Sequence, residues 1–266
     1  MTIVERTNTK IPNKDIMDIT DELIRCIKEE KPITFAKFGD GEYMCAIGLQ
    51  GHNCDGTNYS PELAQGLKTS IKIINTFGGY IGLWDEPHVK QFWEETVGGE
   101  VNWAHYHSVI VDRHDWKKKI EIYKAIKESK LNKIYIGNHL MKRVEILLNT
   151  KRLTIDAHNW FYYEFKNILD SIVKELNEDC NIILTSGGMA SKILISQLML
   201  HSDKNIYIDI GSALDLIATK KDSRGYMCYE EMKQYFDEIL PENWEDEQYN
   251  DIYEEAKTQL GLHLHP

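Results

Sequence analysis

The 266-residue chain has no apolar run near the roughly 20 residues that a membrane-crossing helix needs. Its opening, "MTIVERTNTK", lacks the apolar core of a signal peptide, so a cytoplasmic protein is expected. The five cysteines (Cys26, Cys45, Cys54, Cys180, Cys228) are odd in number and include no C-x-x-C pair. That pattern argues for free thiols in a reducing compartment and against a zinc ribbon. Histidines 105, 107, 114, 139 and 158 form no H-E-x-x-H or H-x-x-x-H helix pair and read as scattered structural residues rather than a zinc site. There is no internal repeat, low-complexity tract or interdomain linker, and no block of Lys and Arg.

What is present is an ordinary globular composition, 42% hydrophobic and 27% charged, suited to one large domain. The net charge of −11 is concentrated: eleven acidic residues and two lysines lie between Glu230 and Leu260. Such an acidic stretch repels a nucleic-acid backbone and is expected to form a solvated helical extension, residues 229–266, to a domain spanning 1–228.

Hydrophobic periodicity alternates between strand and helix for most of the length. "ITFAKF", "YIGLW", "SVIVDR", "KIYIGN", "RLTID", "NIILTSGG" and "NIYIDIG" read as strands. Between them, helices are expected from an Asn13 cap through Ile27, from Tyr43 to Leu49, after Ser60-Pro61-Glu62, over "WKKKIEIYKAIKES" and "LMKRVEILLN", from Trp160 to Leu176, and from Met189 to Leu200. Short, continuously apolar strands separated by helices predict an α/β fold, a mostly parallel sheet covered on both faces. Ligands of such sheets sit beyond the carboxyl ends of the strands.

Four strand ends carry residues that a plain connection does not need. Gly39-Asp40-Gly41-Glu42 places two acids two residues apart on a turn whose glycines allow close backbone approach. Hard divalent ions favour such oxygen ligands; the plainer alternative is an Asp40 cap with Glu42 in the first helical turn. "LTSGGMASK" is a strand, two glycines and a helix, either a purely structural turn or a cradle that offers backbone N–H groups to an anion, and it lacks Walker spacing before Lys192. "YIDIGSALD" brackets a strand end with Asp209 and Asp215, and Lys220, Lys221 and Arg224 follow as a basic loop, either simply solvated or able to close over phosphates. Arg113 in "VDRHDW" suits a phosphate or carboxylate. Asn159 opens an aromatic helix that packs in the core or serves as a stacking wall for a base or sugar.

In this order the segments resemble the GT-D-type glycosyltransferases of bacterial glycoprotein and surface-polysaccharide pathways. Their R-(F/Y)-G-D-G-E segment is matched by Lys37-Phe38-Gly39-Asp40-Gly41-Glu42, and their A-L-G-P-T-A-like turn by Thr185-Ser186-Gly187-Gly188-Met189-Ala190. Their D-I-G-H-x-D strand end is matched by Asp209-Ile210-Gly211-Ser212, with Asp215 nearby, so the resemblance covers about residues 20–215. It implies a Rossmann-like fold, a nucleotide-sugar donor such as a UDP-sugar, and Mn²⁺ or Mg²⁺ held through Asp40 and Glu42. Two departures stand out. Lys37 keeps the charge of the family's arginine but loses its bidentate fork, and Ser212 removes the histidine, whose role is not carried over.

The resemblance further implies transfer to a glycan or glycoconjugate hydroxyl. The ion would act as a Lewis acid on the departing nucleoside diphosphate, with Arg113 and the Gly187-Gly188 N–H groups assisting. Asp209 and Asp215 are the candidate general bases, with Asp156 behind them. A homo-oligomer is compatible with this picture. A metal-dependent phosphohydrolase or phosphotransferase, and a nucleotide-binding module without turnover, stand as alternatives.

Overall fold

The computed structural model of the chain describes residues 16–84, 86–113, 115–155, 159–221 and 227–245. Seven parallel strands form one sheet: β1 (Ile33–Phe38), β2 (Tyr80–Leu83), β3 (Trp103–His105), β4 (Asn132–Gly137), β5 (Lys151–Thr154), β6 (Asn181–Ser186) and β7 (Ile206–Asp209). Their spatial order is β3-β2-β1-β7-β6-β4-β5. The helices are α1 (Thr20–Lys28), α2 (Asp40–Ala46), α3 (Pro61–Thr76), α4 (Pro87–Val97), α5 (Trp116–Glu128), α6 (Lys142–Leu148), α7 (Trp160–Tyr163), α8 (Phe165–Glu175), α9 (Ala190–His201), α10 (Asp215–Thr219) and α11 (Tyr229–Phe236). The expected α/β, Rossmann-like architecture is therefore present. No helix of the described residues is long and apolar enough to cross a membrane.

Both faces of the sheet are covered, which explains why β1 is buried at all six positions. On one face α3, α4, α8 and α9 pack around Leu67, Trp93, Ile172 and Leu194. On the other, α1, α5, α6, α10 and α11 pack around Leu23, Tyr123, Val144, Ile217 and Phe236. Connections running toward β3 use the first face, and those running toward β5 use the second. All crossovers thus share one hand, as expected for parallel strand–helix–strand units.

Several expected elements shift, for local reasons. "SVIVDR" is not a strand. Ser108 and Ile110 donate backbone N–H groups to His105 and His107, and the Val109 carbonyl accepts from the Tyr123 hydroxyl. Buried Val109 and Val111 are core residues in a turn, and the strand lies earlier, at Trp103–His105. Helix α1 begins at Thr20, whose N–H donates to Asp18 Oδ1 at 2.9 Å; Asn13 lies outside the described residues. The Ser60 cap is as expected, with Leu63 N–H donating to its Oγ at 3.1 Å. The long helix from Trp160 is divided at Glu164 into α7 and α8, and α4, which the periodicity did not reveal, fills the β2–β3 connection.

The segment after residue 228 is built into the domain as far as it is described. Met232, Phe236, Ile239 and Trp244 join the same buried core as α5 and α6, and the Arg143 guanidinium lies 3.8 Å from the centre of the Trp244 ring. Residues 246–266 lie outside the described part.

Asp18 links α1 to α5 by pairing with Lys118 at 2.9 Å. Burial opposes its charge, but the hydrogen bonds from Thr20 and Lys118 prevail and bring its pKa down to about 2. Because the folded value lies below the unfolded one, the stability it contributes is complete above pH ~4 and fades as pH falls through 2. Melting temperatures of wild type and Asp18→Ala are expected to differ at pH 7 and to draw together as pH falls from ~4 through 2; a constant gap would refute this linkage.

Candidate functional site

Three strands end together at the carboxyl edge. β1 pairs with β7 and β7 with β6, and the register sets Thr185 beside Asp209 and Phe35 beside Ile208. Lys37, Asp209 and Ser186 are therefore brought to one rim. Beyond them lie the turns Gly39–Glu42, Ile210–Leu214 and Gly187–Met189.

Under this rim is a buried charge cluster. Lys192, on α9, lies 2.8 Å from Glu42 Oε1 and 3.0 Å from Asp209 Oδ2, and all three side chains are under one-tenth exposed. Its ammonium also donates to the Gly188 carbonyl at 3.1 Å. Burial works against that charge, but Asp209 and Glu42 outweigh it and hold the lysine well above its ordinary pKa. Asp209 Oδ2 accepts the Lys37 backbone N–H at 3.1 Å, while its Oδ1 is buried with no hydrogen-bond partner. The Lys37 ammonium donates to the Ile210 carbonyl at 2.8 Å and lies 5.3 Å from the Tyr106 ring centre. Two cations and two carboxylates thus form a formally neutral set.

The two acids of the Gly-Asp-Gly-Glu turn have unequal positions. Gly39 N–H donates to Glu42 Oε2 at 2.9 Å, so both oxygens of Glu42 are engaged, one as a cap of α2 and one with Lys192. Asp40, in the first turn of α2, is exposed. Asp40 is thus the acid of this turn open to an ion, and a divalent ion held by that single carboxylate would need phosphate oxygens of a ligand to complete its shell. Among the described residues no group of three or more His, Cys, Asp or Glu is gathered as a cation cage. The turn's glycines serve close packing, since a Cβ on Gly41 would lie 2.5 Å from Asn53 Oδ1.

The glycine turn after β6 is rigidly held. Gly187 N–H donates to Ser191 Oγ at 3.0 Å, its carbonyl accepts from the Trp160 indole at 2.9 Å, and Ser186 Oγ donates to the Gly211 carbonyl at 2.6 Å. Gly188 has φ +62°, and a Cβ there would collide with Asp55 Oδ2. A carboxylate of the chain therefore lies against the turn expected to meet an anion, and the Gly187 N–H expected to assist there is already given to Ser191. Its loop is fastened by Asn58 N–H donating to Asn159 Oδ1 at 3.1 Å and by Thr57 N–H donating to Asp55 Oδ1 at 2.9 Å.

Other expected site residues lie elsewhere. Arg113 is exposed and paired with Glu231 on α11, at 2.8 Å. Lys221 is exposed beyond α10; Arg224 and Asp156 lie outside the described residues. Asp215 is half-buried at the start of α10, after the turn that follows β7. Periodicity and spacing missed Lys192 as a site residue. The signal was a single lysine inside "ASKILISQLML", a helix apolar all round, where a charge needs a counter-ion. Asp55, Tyr106 and Trp84 left no such trace.

No protein-family model matches the chain, and no curated protein matches it. Solved structures do. One, a domain of unknown function 1792 (DUF1792) described as having a distinct glycosyltransferase fold, is 19% identical, with a TM-score of 0.53 over 84% of this chain and 88% of that one. Another, described as a new glycosyltransferase (DUF1792) from Streptococcus sanguinis, is 18% identical, with a TM-score of 0.55 over 87% and 95%. The likeness is one of fold, spans nearly the whole of both chains, and agrees with the GT-D resemblance.

Replacing Lys192 by Met should strand two buried carboxylates and lower unfolding stability by ~3–5 kcal/mol. The triple change Lys192→Met, Glu42→Gln and Asp209→Asn should recover part of that loss. A Lys192→Met denaturation midpoint close to wild type would show that the cluster does not hold the rim together.

Proposed function

We propose that this chain is a glycosyltransferase moving a sugar from a nucleotide-sugar donor, a UDP-sugar in the first instance, to a hydroxyl of a glycan or glycoconjugate. The observation that carries the proposal is the fold shared along nearly the whole chain with two DUF1792 structures, one described as having a distinct glycosyltransferase fold and one as a new glycosyltransferase. The local chemistry supports it. Glycosyl transfer releases a nucleoside diphosphate, and a site for it needs positive character at a strand edge. The N-terminal turn of α9 supplies that character at the rim, while the ammonium groups of Lys37 and Lys192 below it are balanced by Glu42 and Asp209.

The donor diphosphate is assigned to the space beside Gly188, where Asp55 now lies. Asp55 would withdraw as the phosphates arrive. Asp40 would hold Mn²⁺ or Mg²⁺ against them, and the ion when bound would neutralise charge on the leaving phosphate. Glu42 is assigned the structural task of fixing Lys192. Of the two candidate bases, Asp215 is favoured: it is half-buried at a helix start, whereas Asp209 is buried and bonded to Lys192 and to the Lys37 amide.

Incubation with UDP-, GDP- and CMP-sugars in Mn²⁺ should release sugar from at least one donor; turnover of none would refute the proposal. Donor affinity by titration calorimetry should fall for Asp40→Asn in Mn²⁺ and hardly change in chelator. Once an acceptor is in hand, Asp215→Asn should slow transfer by ~10²- to 10⁴-fold with donor affinity kept. Asp209→Asn should instead lower thermal stability, and an Asp215→Asn enzyme with normal turnover would remove that residue from the mechanism.

A further inference from the structure

A second crevice opens at the same edge, between β2 and β3. The chain leaves β2 for α4 on one face and leaves β3 for α5 on the other, so the two connections diverge. Divergence of this kind creates the ligand crevice of open parallel sheets. Here it encloses a cavity of about 500 Å³, within the ~300–1,000 Å³ that holds small organic ligands. None of the residues assigned above to donor, metal or base lines it.

Its lining is aromatic and polar at once. Trp84 and Tyr106 meet edge to face at 5.5 Å, and His105, His107 and Glu86 add hydrogen-bonding groups. Its cations are already answered: Lys118 is 2.9 Å from Asp18 and 3.0 Å from Asp21, and Lys119 is 2.9 Å from Asp112. A phosphate would have to compete with those carboxylates. A neutral ring carrying hydroxyls would not, because aromatic faces suit its C–H surface while carboxylates and imidazoles suit its O–H groups. Tyr106 is also the wall shared with the charge cluster. Its hydroxyl lies 3.2 Å from where a Cβ on Gly39 would stand, and its ring faces the Lys37 ammonium.

We propose that the β2–β3 cavity is the acceptor subsite, binding a neutral sugar ring against Trp84 and Tyr106. The assignment rests on the glycosyltransferase proposal, and it deepens that proposal by naming where the acceptor lies and what class of group it presents. The acceptor then approaches from the β3 side of Gly39, while the donor phosphates lie on the β6 side. The same chemistry could belong to the ribose of the donor nucleoside, and the test separates the two.

Saturation-transfer NMR would use the methyl β-glycosides of glucose, galactose and N-acetylglucosamine with the full chain. At least one glycoside should receive saturation, should keep it in excess UDP, GDP and CMP, and should lose at least fivefold of it in Trp84→Ala and in the rim variant Glu86→Gln. Circular dichroism and thermal melting would confirm that both variants fold. Loss of the signal on adding nucleotides would assign the cavity to the nucleoside and overturn the proposal. Absence of any glycoside signal, or an unchanged signal in both variants, would overturn it too. Donor turnover without glycoside binding would remove the acceptor subsite alone. Glycoside binding without turnover of any donor would remove the transferase reading and leave a sugar site.

Discussion

The ion pairs of Lys192 hold the strand edge in place. One ammonium on α9 bridges Glu42, at the head of α2, and Asp209, at the end of β7. Each group is buried, so none can be left alone without a large desolvation cost. The bridge therefore fixes three separate chain segments relative to one another. It also divides the labour of the Gly-Asp-Gly-Glu turn: Glu42 turns inward to the lysine and to the Gly39 amide, and Asp40 is left at the surface.

Topology supplies the rest. Because the crossovers share one hand, the direction of travel along the sheet decides which face each helix covers. Where neighbouring strands send their connections to opposite faces, the edge opens. Among the places where this happens are β1–β7–β6, over the charge cluster, and β2–β3, over the cavity walled by Trp84 and Tyr106. Tyr106 separates the two openings and touches both. Two adjacent crevices sharing a wall would suit the proposed two-substrate transfer, which needs one ligand's reacting centre set beside the other's.

The sheet was largely legible because its strands are short apolar runs, and burial on both faces leaves that signature in β1, β4, β6 and β7. Legibility failed where burial and strand formation part company. "SVIVDR" has the composition of a strand, but its backbone is committed to turns and to the Tyr123 hydroxyl. At the rim, Gly39, Gly187 and Asp209 were marked by their residue types and by the order of the segments. Their partners were not, since Lys192, Asp55 and Tyr106 act through contacts that join distant parts of the chain. Arg113 shows the converse: a residue type suited to phosphate that pairs instead with Glu231 of the acidic C-terminal segment.

The most direct check is a crystal structure of the protein grown with UDP and Mn²⁺. The diphosphate is expected beside Gly188, with Asp55 drawn back, the ion on Asp40, and Glu42 still bonded to Lys192. A diphosphate in the β2–β3 cavity, or an ion held by Glu42 with Lys192 displaced, would contradict both the division of the two acids and the placement of the donor.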